Sequence, residues 1–169
     1  MVKKPLRLYN WKRFIKQEGV YSSFWLGRFS NMFIKKGKKK KIMNYIYRAL
    51  LTVRALTDKL PILYILELAE SLKPTFKLEN CFPGKVMIVY PKYVSSSKRY
   101  IISFRWIYAY ILTEYRNSRR LNVPLYAIIC NSWMKLSSNK HNQLIKKRDR
   151  YHEEAINLQD NIRYSWKRP

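Results

Sequence analysis

Four clusters of lysine and arginine are the residues whose type and spacing could do chemistry in this chain. The densest is KKGKKKK, from Lys35 to Lys41, with six lysines around Gly37. Ammonium and guanidinium groups at such density bind phosphate. The other clusters are Lys98-Arg99, Arg119-Arg120 and Lys146-Lys147-Arg148. Any one of them alone could be a solvated face, but together they predict a phosphate-binding surface.

Side chains suited to catalysis or metal binding are sparse. His152-Glu153-Glu154 lacks the spacing of a zinc-protease helix, and adjacent helical residues point in different directions. We interpret it as a solvated face that pairs with Arg150 and nearby lysines. Cys81 and Cys130 are expected to be reduced and buried. With only four glycines and no Gly-rich phosphate loop, the sequence predicts no enzyme, no cofactor and no metal site.

The charge balance indicates the kind of partner. The 169 residues include 35 Lys+Arg against 10 Asp+Glu, which gives a net charge of +25. Because 47% of the residues are hydrophobic, the chain can bury a core, and its length favours one domain. So much like charge on a small body is self-repulsive until a polyanion neutralises it. Nucleic acid and an anionic membrane are the two candidates.

A basic helical module on a membrane surface would need an exposed apolar stripe beside the lysines. The apolar stripes in this chain are expected to face one core instead. The longest apolar run, Tyr100 to Leu112, is too short to span a bilayer and contains Arg105. A nuclease or RNA-modifying enzyme, the third class considered, would need clustered carboxylates or a cofactor loop.

The lysine run is predicted to be a corner between two helices. Ser23 is suited to cap a first helix whose apolar positions reach Ile34, and Gly37 to end that helix at its C′ position. A second helix carries a regular apolar stripe from Ile42 to Leu56. The lysines in its first turn oppose the helix dipole, so an anion is expected there. We predict that Lys38–Lys40 face phosphate while the stripe faces the core.

The remaining pattern predicts four more helices and one hairpin. Pro61 opens the third helix and Pro74 stops it. Alternation and the Pro83-Gly84 turn signal predict a β-hairpin of 75–82 and 85–91. The other helices are expected at 95–116, with Trp106 buried, at 124–136 and at about 142–160. The fold class is therefore mainly α, a bundle of about six helices with one protruding β-hairpin. Residues 1–20 are expected to be a basic extension, 21–166 a single helical RNA-binding domain and 167–169 a short basic tail.

Four stretches carry a resemblance to a known family. RFSNMFIKKGKKKKIMNYIYRAL, LAESLKPTFKL, RYIISFRWI and KKRDRYHEEAINLQDNIRYSW occur in order and at the right spacing. They resemble the bacterial-type small-subunit ribosomal protein seven family, from about Tyr21 to Trp166. The resemblance implies six helices with a protruding hairpin. It also implies a structural role, in which the protein binds the 3′ major domain of small-subunit rRNA and nucleates head assembly.

The same resemblance implies neighbours and site residues. The partners would be rRNA and other head proteins, with mRNA and exit-site tRNA nearby. The family's hairpin tip carries Arg-Arg-Val-Gly-Gly, whereas this chain has CFPGK and keeps Lys85 as its main charge there. The resemblance and the charge clusters together give the expected RNA-binding residues: Lys35, Lys36, Lys38, Lys39, Lys40, Lys41, Lys85, Lys98, Arg99, Arg105, Arg119, Arg120, Lys146, Lys147 and Arg148.

Composition suggests where the protein works. Frequent Tyr, Ile, Asn and Lys are typical of A/T-rich genes. The resemblance implies a start about as far before Tyr21 as in the family, so we expect little room for a presequence. Both points favour a mitochondrial ribosome, with a plastid or the bacterial cytoplasm as alternatives. A non-ribosomal RNA-binding protein is the other functional alternative.

Overall fold

The computed structural model describes residues 24–57, 59–82, 85–118, 123–138 and 142–166. Over these residues the chain is mainly helical with one two-stranded antiparallel sheet, so the predicted fold class is confirmed. The elements are α1 (Phe24–Asn31), α2 (Lys39–Thr57), α3 (Pro61–Leu72), β1 (Phe76–Cys81), β2 (Ile88–Tyr93), α4 (Ser96–Asn117), α5 (Leu125–Ser138), α6 (Gln143–Asn157) and a 3₁₀ segment (Gln159–Trp166).

The helices pack around one apolar core. The predicted stripe of α2 is confirmed except at its end: Ile46 and Val53 are fully buried where α2 packs against α5, whereas Leu56 is 62% exposed. Phe29 of α1 lies at the centre, with its ring 5.5 Å from that of Phe104 on α4 and 6.0 Å from that of Trp133 on α5. Burial of these large side chains, each worth about 1.5–3 kcal/mol, is the main term that stabilises the bundle.

Several predicted helix boundaries are confirmed. Pro61 is the first residue of α3, and the helix ends at Leu72, two residues before Pro74. The side chain of Asn142 caps α6 by accepting a hydrogen bond from the backbone N–H of Ile145 at 2.8 Å. The predicted last helix stops at Asn157 rather than near Asp160, because the chain tightens there into the 3₁₀ segment.

The prediction that the first helix runs to Gly37 is wrong. α1 ends at Asn31, so Gly37 is not its C′ residue. Lys36 and Gly37 instead form a separate turn with positive φ angles of 51° and 70°. The side chain of Ser30 competes with helix continuation by donating to the carbonyl oxygen of Gly27 at 2.9 Å. The chain then leaves the helix and packs Phe33 edge-to-face on Tyr108 of α4.

Both predicted strands of the hairpin are present, but the second begins and ends later in the chain than predicted. β2 begins at Ile88 and continues through Pro91 to Tyr93, beyond the predicted end at residue 91. A proline is tolerated there because β2 is an edge strand of a two-stranded sheet. The predicted turn at residues 83–84 lies outside the described residues. The register pairs Phe76 with Tyr93 and Glu79 with Tyr90.

One face of the hairpin is held together by charge. Lys77 and Lys92 are directly opposite each other, and Glu79 forms an ion pair with each, at 2.9 Å to the Nζ of Lys92. The hydroxyl of Tyr90 also donates to Glu79 at 3.1 Å. The hydrogen bonds from Lys77 and Lys92 lower the pKa of Glu79 from 4.5 to about 2.

Replacing Glu79 with glutamine should lower the free energy of unfolding by about 1 kcal/mol at pH 7, since two lysines are then left opposed. A carboxyl with a depressed pKa stabilises the fold above its unfolded pKa, and that contribution is lost as the pH falls. The difference between the wild type and Glu79→Gln should therefore shrink below pH 4.5 and vanish only below about pH 2. Urea denaturation at a series of pH values measures this.

The matched control is Glu67→Gln, because Glu67 forms an ion pair with Lys59 in which both side chains are mostly exposed. That variant should change the free energy of unfolding by less than about 0.5 kcal/mol at any pH. An equal destabilisation of Glu79→Gln at pH 7 and at pH 2 would show that the ion pairs do not stabilise the hairpin.

Candidate nucleic-acid interface

The lysine corner, residues 35–41, presents six exposed ammonium groups from a fixed backbone. α2 begins at Lys39, and its first turn contains no acidic residue. None of the six lysines forms an ion pair with a described residue. Ile42 packs against the core and Ile46 is fully buried, as predicted. The corner therefore concentrates positive charge at the positive end of the α2 dipole, where an anion would be stabilised.

The corner is adjacent to a basic stripe on α4. The ring of Phe33, two residues before the corner, lies 4.8 Å from that of Tyr108. Arg105 is exposed and stands three residues before Tyr108, so the two are neighbours on one face of the helix. Lys98 is exposed two turns further toward the N-terminus of α4, on the same stripe. The geometry of α4 thus extends the charge of the corner along the helix.

α6 adds lysines to this surface at its contact with α4. The Nζ of Lys147 lies 5.1 Å from the centre of the Trp106 ring, and Lys146 beside it is exposed. Trp106 is buried, as predicted, and its ring also packs 5.5 Å from that of Tyr151. We call the surface formed by the lysine corner, Lys98, Arg105, Lys146 and Lys147 the basic band.

Two of the predicted arginines are engaged within the protein. The Nε of Arg99 donates to the carbonyl oxygen of Val94 at 2.8 Å, and its guanidinium lies over the ring of Tyr93. Arg148 forms an ion pair with Asp149 at 2.6 Å and donates to the carbonyl oxygen of Ser71 on α3. Arg99 therefore ties α4 to the hairpin, and Arg148 ties α6 to α3. Their contact with RNA stays a prediction.

Lys85 is not part of the band. Lys85 is exposed near the hairpin tip, beside the exposed side chains of Phe82, Val86 and Met87. Arg119 and Arg120 are outside the described residues. One basic residue that the sequence reasoning missed is Arg48, which is exposed on α2. Its spacing of seven residues from Lys41 places both on one helix face and could have revealed it.

The interpretation of His152-Glu153-Glu154 needs a correction. The Nε2 of His152 accepts a hydrogen bond from the backbone N–H of Thr75 at 3.0 Å, and its ring lies 6.4 Å from that of Phe76. The histidine thus anchors the base of the hairpin to α6 rather than facing solvent. Glu153 and Glu154 are exposed, but the expected pairing with Arg150 is absent among the described residues. Only tertiary packing, which the sequence pattern does not contain, distinguishes the two environments.

The two cysteines differ in burial. Cys130 is buried, and this burial raises the pKa of its thiol. Cys81 is half-buried, and its Sγ donates to the carbonyl oxygen of Tyr164 at 3.6 Å.

Within the described ranges, no group of three or more His, Cys, Asp or Glu side chains could hold a metal ion. The described helices include none that is long and apolar enough to cross a membrane.

Known proteins match this chain along most of its length. The family model described as ribosomal protein S7p/S5e matches residues 6–157. The chain is 26% identical to small ribosomal subunit protein uS7 of Afipia carboxidovorans, over 92% of this chain and 95% of that protein. It is also 26% identical to uS7 of Onion yellows phytoplasma, with the same coverage. It is 23% identical to uS7c of Bigelowiella natans, over 91% of this chain and 94% of that protein.

These matches define the class of protein, a ribosomal protein, and confirm the resemblance found in the sequence. The chain belongs to the ribosomal protein S7p/S5e family. Membership identifies it as a structural constituent of the small ribosomal subunit.

RNA binding by the lysine corner can be tested by substitution. Replacing Lys38, Lys39 and Lys40 with glutamine should weaken binding to small-subunit rRNA and flatten the salt dependence of binding, because fewer counterions are released. The same variant should unfold no more easily than the wild type, since lysines at a helix N-terminus oppose the dipole by a few tenths of a kcal/mol each. Filter binding across a salt series and urea denaturation measure the two effects.

The matched control removes three positive charges elsewhere. Lys59 and Lys135 pair with Glu67 and Glu114, and Arg116 lies at the end of α4 far from Lys98. Glutamine at these three positions should reduce RNA affinity much less than glutamine at the corner. Equal losses for the two triple variants would mean that only net charge matters and that the corner is not a specific contact.

Proposed function

We propose that the protein uses the basic band to bind the 3′ major domain of small-subunit rRNA and thereby nucleates assembly of the subunit head. The observation that carries this proposal is the ordered lysine corner, with six exposed lysines and no acidic partner among the described residues. Phosphate is the group that such an arrangement binds best. Membership in a ribosomal protein family makes rRNA the source of that phosphate.

The distribution of the acidic residues supports this proposal. The ion pairs of the described residues neutralise cations on the hairpin, at the two ends of α3 and on α5. No member of the band forms an ion pair with a described residue, although Arg148, the neighbour of Lys147, is paired with Asp149. The acids therefore hold elements of the protein together, while the charge of the band is left for a polyanion to neutralise.

The role we propose is structural and not enzymatic. Bound to the head, the protein would contact neighbouring head proteins and lie near the mRNA exit channel and exit-site tRNA. The S7p/S5e match and the predicted RNA surface support this placement.

We also propose that the ribosome concerned is mitochondrial. The support is the composition, rich in Tyr, Ile, Asn and Lys, and the low identity of 23–26% to the bacterial uS7 proteins and the uS7c protein reported above. Sedimentation of an epitope-tagged protein from purified organelles tests the placement. Recovery with plastid or cytoplasmic small subunits instead would exclude it.

A membrane-binding role lacks support at the lysine corner. The apolar residues beside the corner, Ile42 and Met43, pack against the core. The exposed leucines Leu56, Leu60 and Leu63 lie at the opposite end of α2 and in the start of α3. A membrane-binding helix needs its apolar and basic residues to meet along one edge.

Binding to a transcript of the head domain should weaken steeply with salt. If several lysines contact phosphates, the log–log slope of affinity against salt should have a magnitude of about 5 or more. Affinity should also exceed that for an unrelated RNA of equal length and for vesicles of anionic lipid. A slope near zero, or stronger binding to the vesicles, would contradict the rRNA proposal.

A further inference from the structure

Tyr93, the last residue of β2, presents a large aromatic surface to solvent. Its side chain is 64% exposed, the largest value for an aromatic residue within the described ranges. Nearly all the other large side chains of the hairpin base are at least half-buried, including Tyr90 and Val94. An exposed ring in such a place adds little to the core, which makes it a candidate for a binding contact.

The ring of Tyr93 is held on a rigid support. Phe76 is its direct partner in the strand register, with ring centres 6.3 Å apart and an angle of 79° between the planes. Phe76 in turn packs against His152 of α6. The backbone N–H of Val94 donates to the carbonyl oxygen of Thr75 at 3.0 Å and closes the base of the hairpin. Tyr93 is thus preorganised by two strands and a helix.

Arg99 covers one side of this ring. Its guanidinium carbon lies 4.5 Å from the ring centre, which is a cation–π contact. Its Nε is fixed by the carbonyl oxygen of Val94, while its two terminal amino groups form no hydrogen bond with described residues. Those amino groups are free to bind a phosphate in the forked geometry of a guanidinium. Since Tyr93 is still 64% exposed, much of the ring remains accessible for stacking.

The charged groups near Tyr93 and Arg99 favour RNA as the ligand. Lys98, a member of the basic band, is adjacent to Arg99 on α4. Lys92 lies on the opposite face of the hairpin from Tyr93 and is paired with Glu79, so the available cations at this site belong to α4. A protein partner would have to bring matching acids to this site, whereas RNA carries a flat base and a phosphate in every nucleotide. Unpaired bases are the usual targets of exposed aromatic rings and arginine planes in RNA-binding proteins.

We propose that Tyr93 and Arg99 form a stacking site for one unpaired nucleotide. The base stacks on the accessible surface of the Tyr93 ring, and the terminal amino groups of Arg99 bind a phosphate beside it. The site rests on the proposed function, since the nucleotide belongs to the rRNA that the basic band binds. It adds to that function a contact that depends on an aromatic ring rather than on charge.

The test compares Tyr93→Leu with Tyr93→Phe in binding to the head-domain transcript. Leucine keeps an apolar side chain but removes the ring, so affinity should fall about tenfold, within the range of about 5- to 100-fold for one stacked base. Phenylalanine keeps the ring and should bind within about twofold of the wild type. The salt slope of Tyr93→Leu should equal that of the wild type, because stacking releases no counterions.

The matched control is Tyr115→Leu, which removes an exposed tyrosine near the far end of α4 and should leave affinity unchanged. If the wild type binds the transcript and Tyr93→Leu binds equally well, the stacking site is wrong while rRNA binding stands. Equal losses in Tyr93→Phe and Tyr93→Leu would also overturn it, because the hydroxyl would then be the essential group. If the wild type itself fails to bind, the proposed function fails.

Discussion

Repulsion among 35 cationic side chains, opposed by only 10 acidic ones, is the constraint around which this fold is organised. The described core excludes charge completely: besides aromatic side chains with a polar group, such as Tyr47 and Trp133, its buried polar side chains are Ser30, Ser103 and Ser132. Ser30 and Ser103 satisfy their hydroxyls on carbonyl oxygens of their own helices. Because the apolar core carries the stability, every described cation can remain at the surface, where water or a polyanion compensates it.

Acidic and hydrogen-bonding side chains join the separate elements of the fold. Glu79 neutralises the two opposed lysines of the hairpin, and His152 fixes the base of the hairpin to α6. The 3₁₀ segment holds the other edge, where the side-chain amide of Asn161 donates to the carbonyl oxygen of Val89 at 2.9 Å. These contacts position the hairpin relative to α6 and the 3₁₀ segment, and none of the acids in ion pairs compensates the basic band.

The sequence predicted the elements that depend on local pattern. The apolar stripe of α2 as far as Val53, the proline boundaries of α3 and the start of α6 near Asn142 are short-range features, and the structure has each of them. The end of α1 was predicted wrongly, because the packing of Phe33 on Tyr108 outweighs the preference for a helix that runs to Gly37. That contact joins residues far apart in the chain.

The same limit applies to the candidate site. Sequence located the clusters of charge, but it could not separate Lys147, which is exposed over Trp106, from its neighbour Arg148, which is engaged by Asp149 and Ser71. Nor could it find the pairing of Tyr93 with Arg99, since that contact depends on how the end of β2 meets the start of α4. The clusters of charged residues can be read from the sequence, whereas tertiary packing decides whether each charged side chain faces solvent or a partner within the protein.

The most direct measurement is a cryo-EM map of the native small subunit that contains this protein. In such a map, rRNA phosphates should lie within hydrogen-bonding distance of the lysine corner, of Arg105 on α4 and of Lys146 or Lys147 on α6. The end of the molecule with Leu56 and Leu63 should not contact RNA. A map in which the basic band faces solvent or lipid, while rRNA contacts the opposite end of α2, would contradict the account.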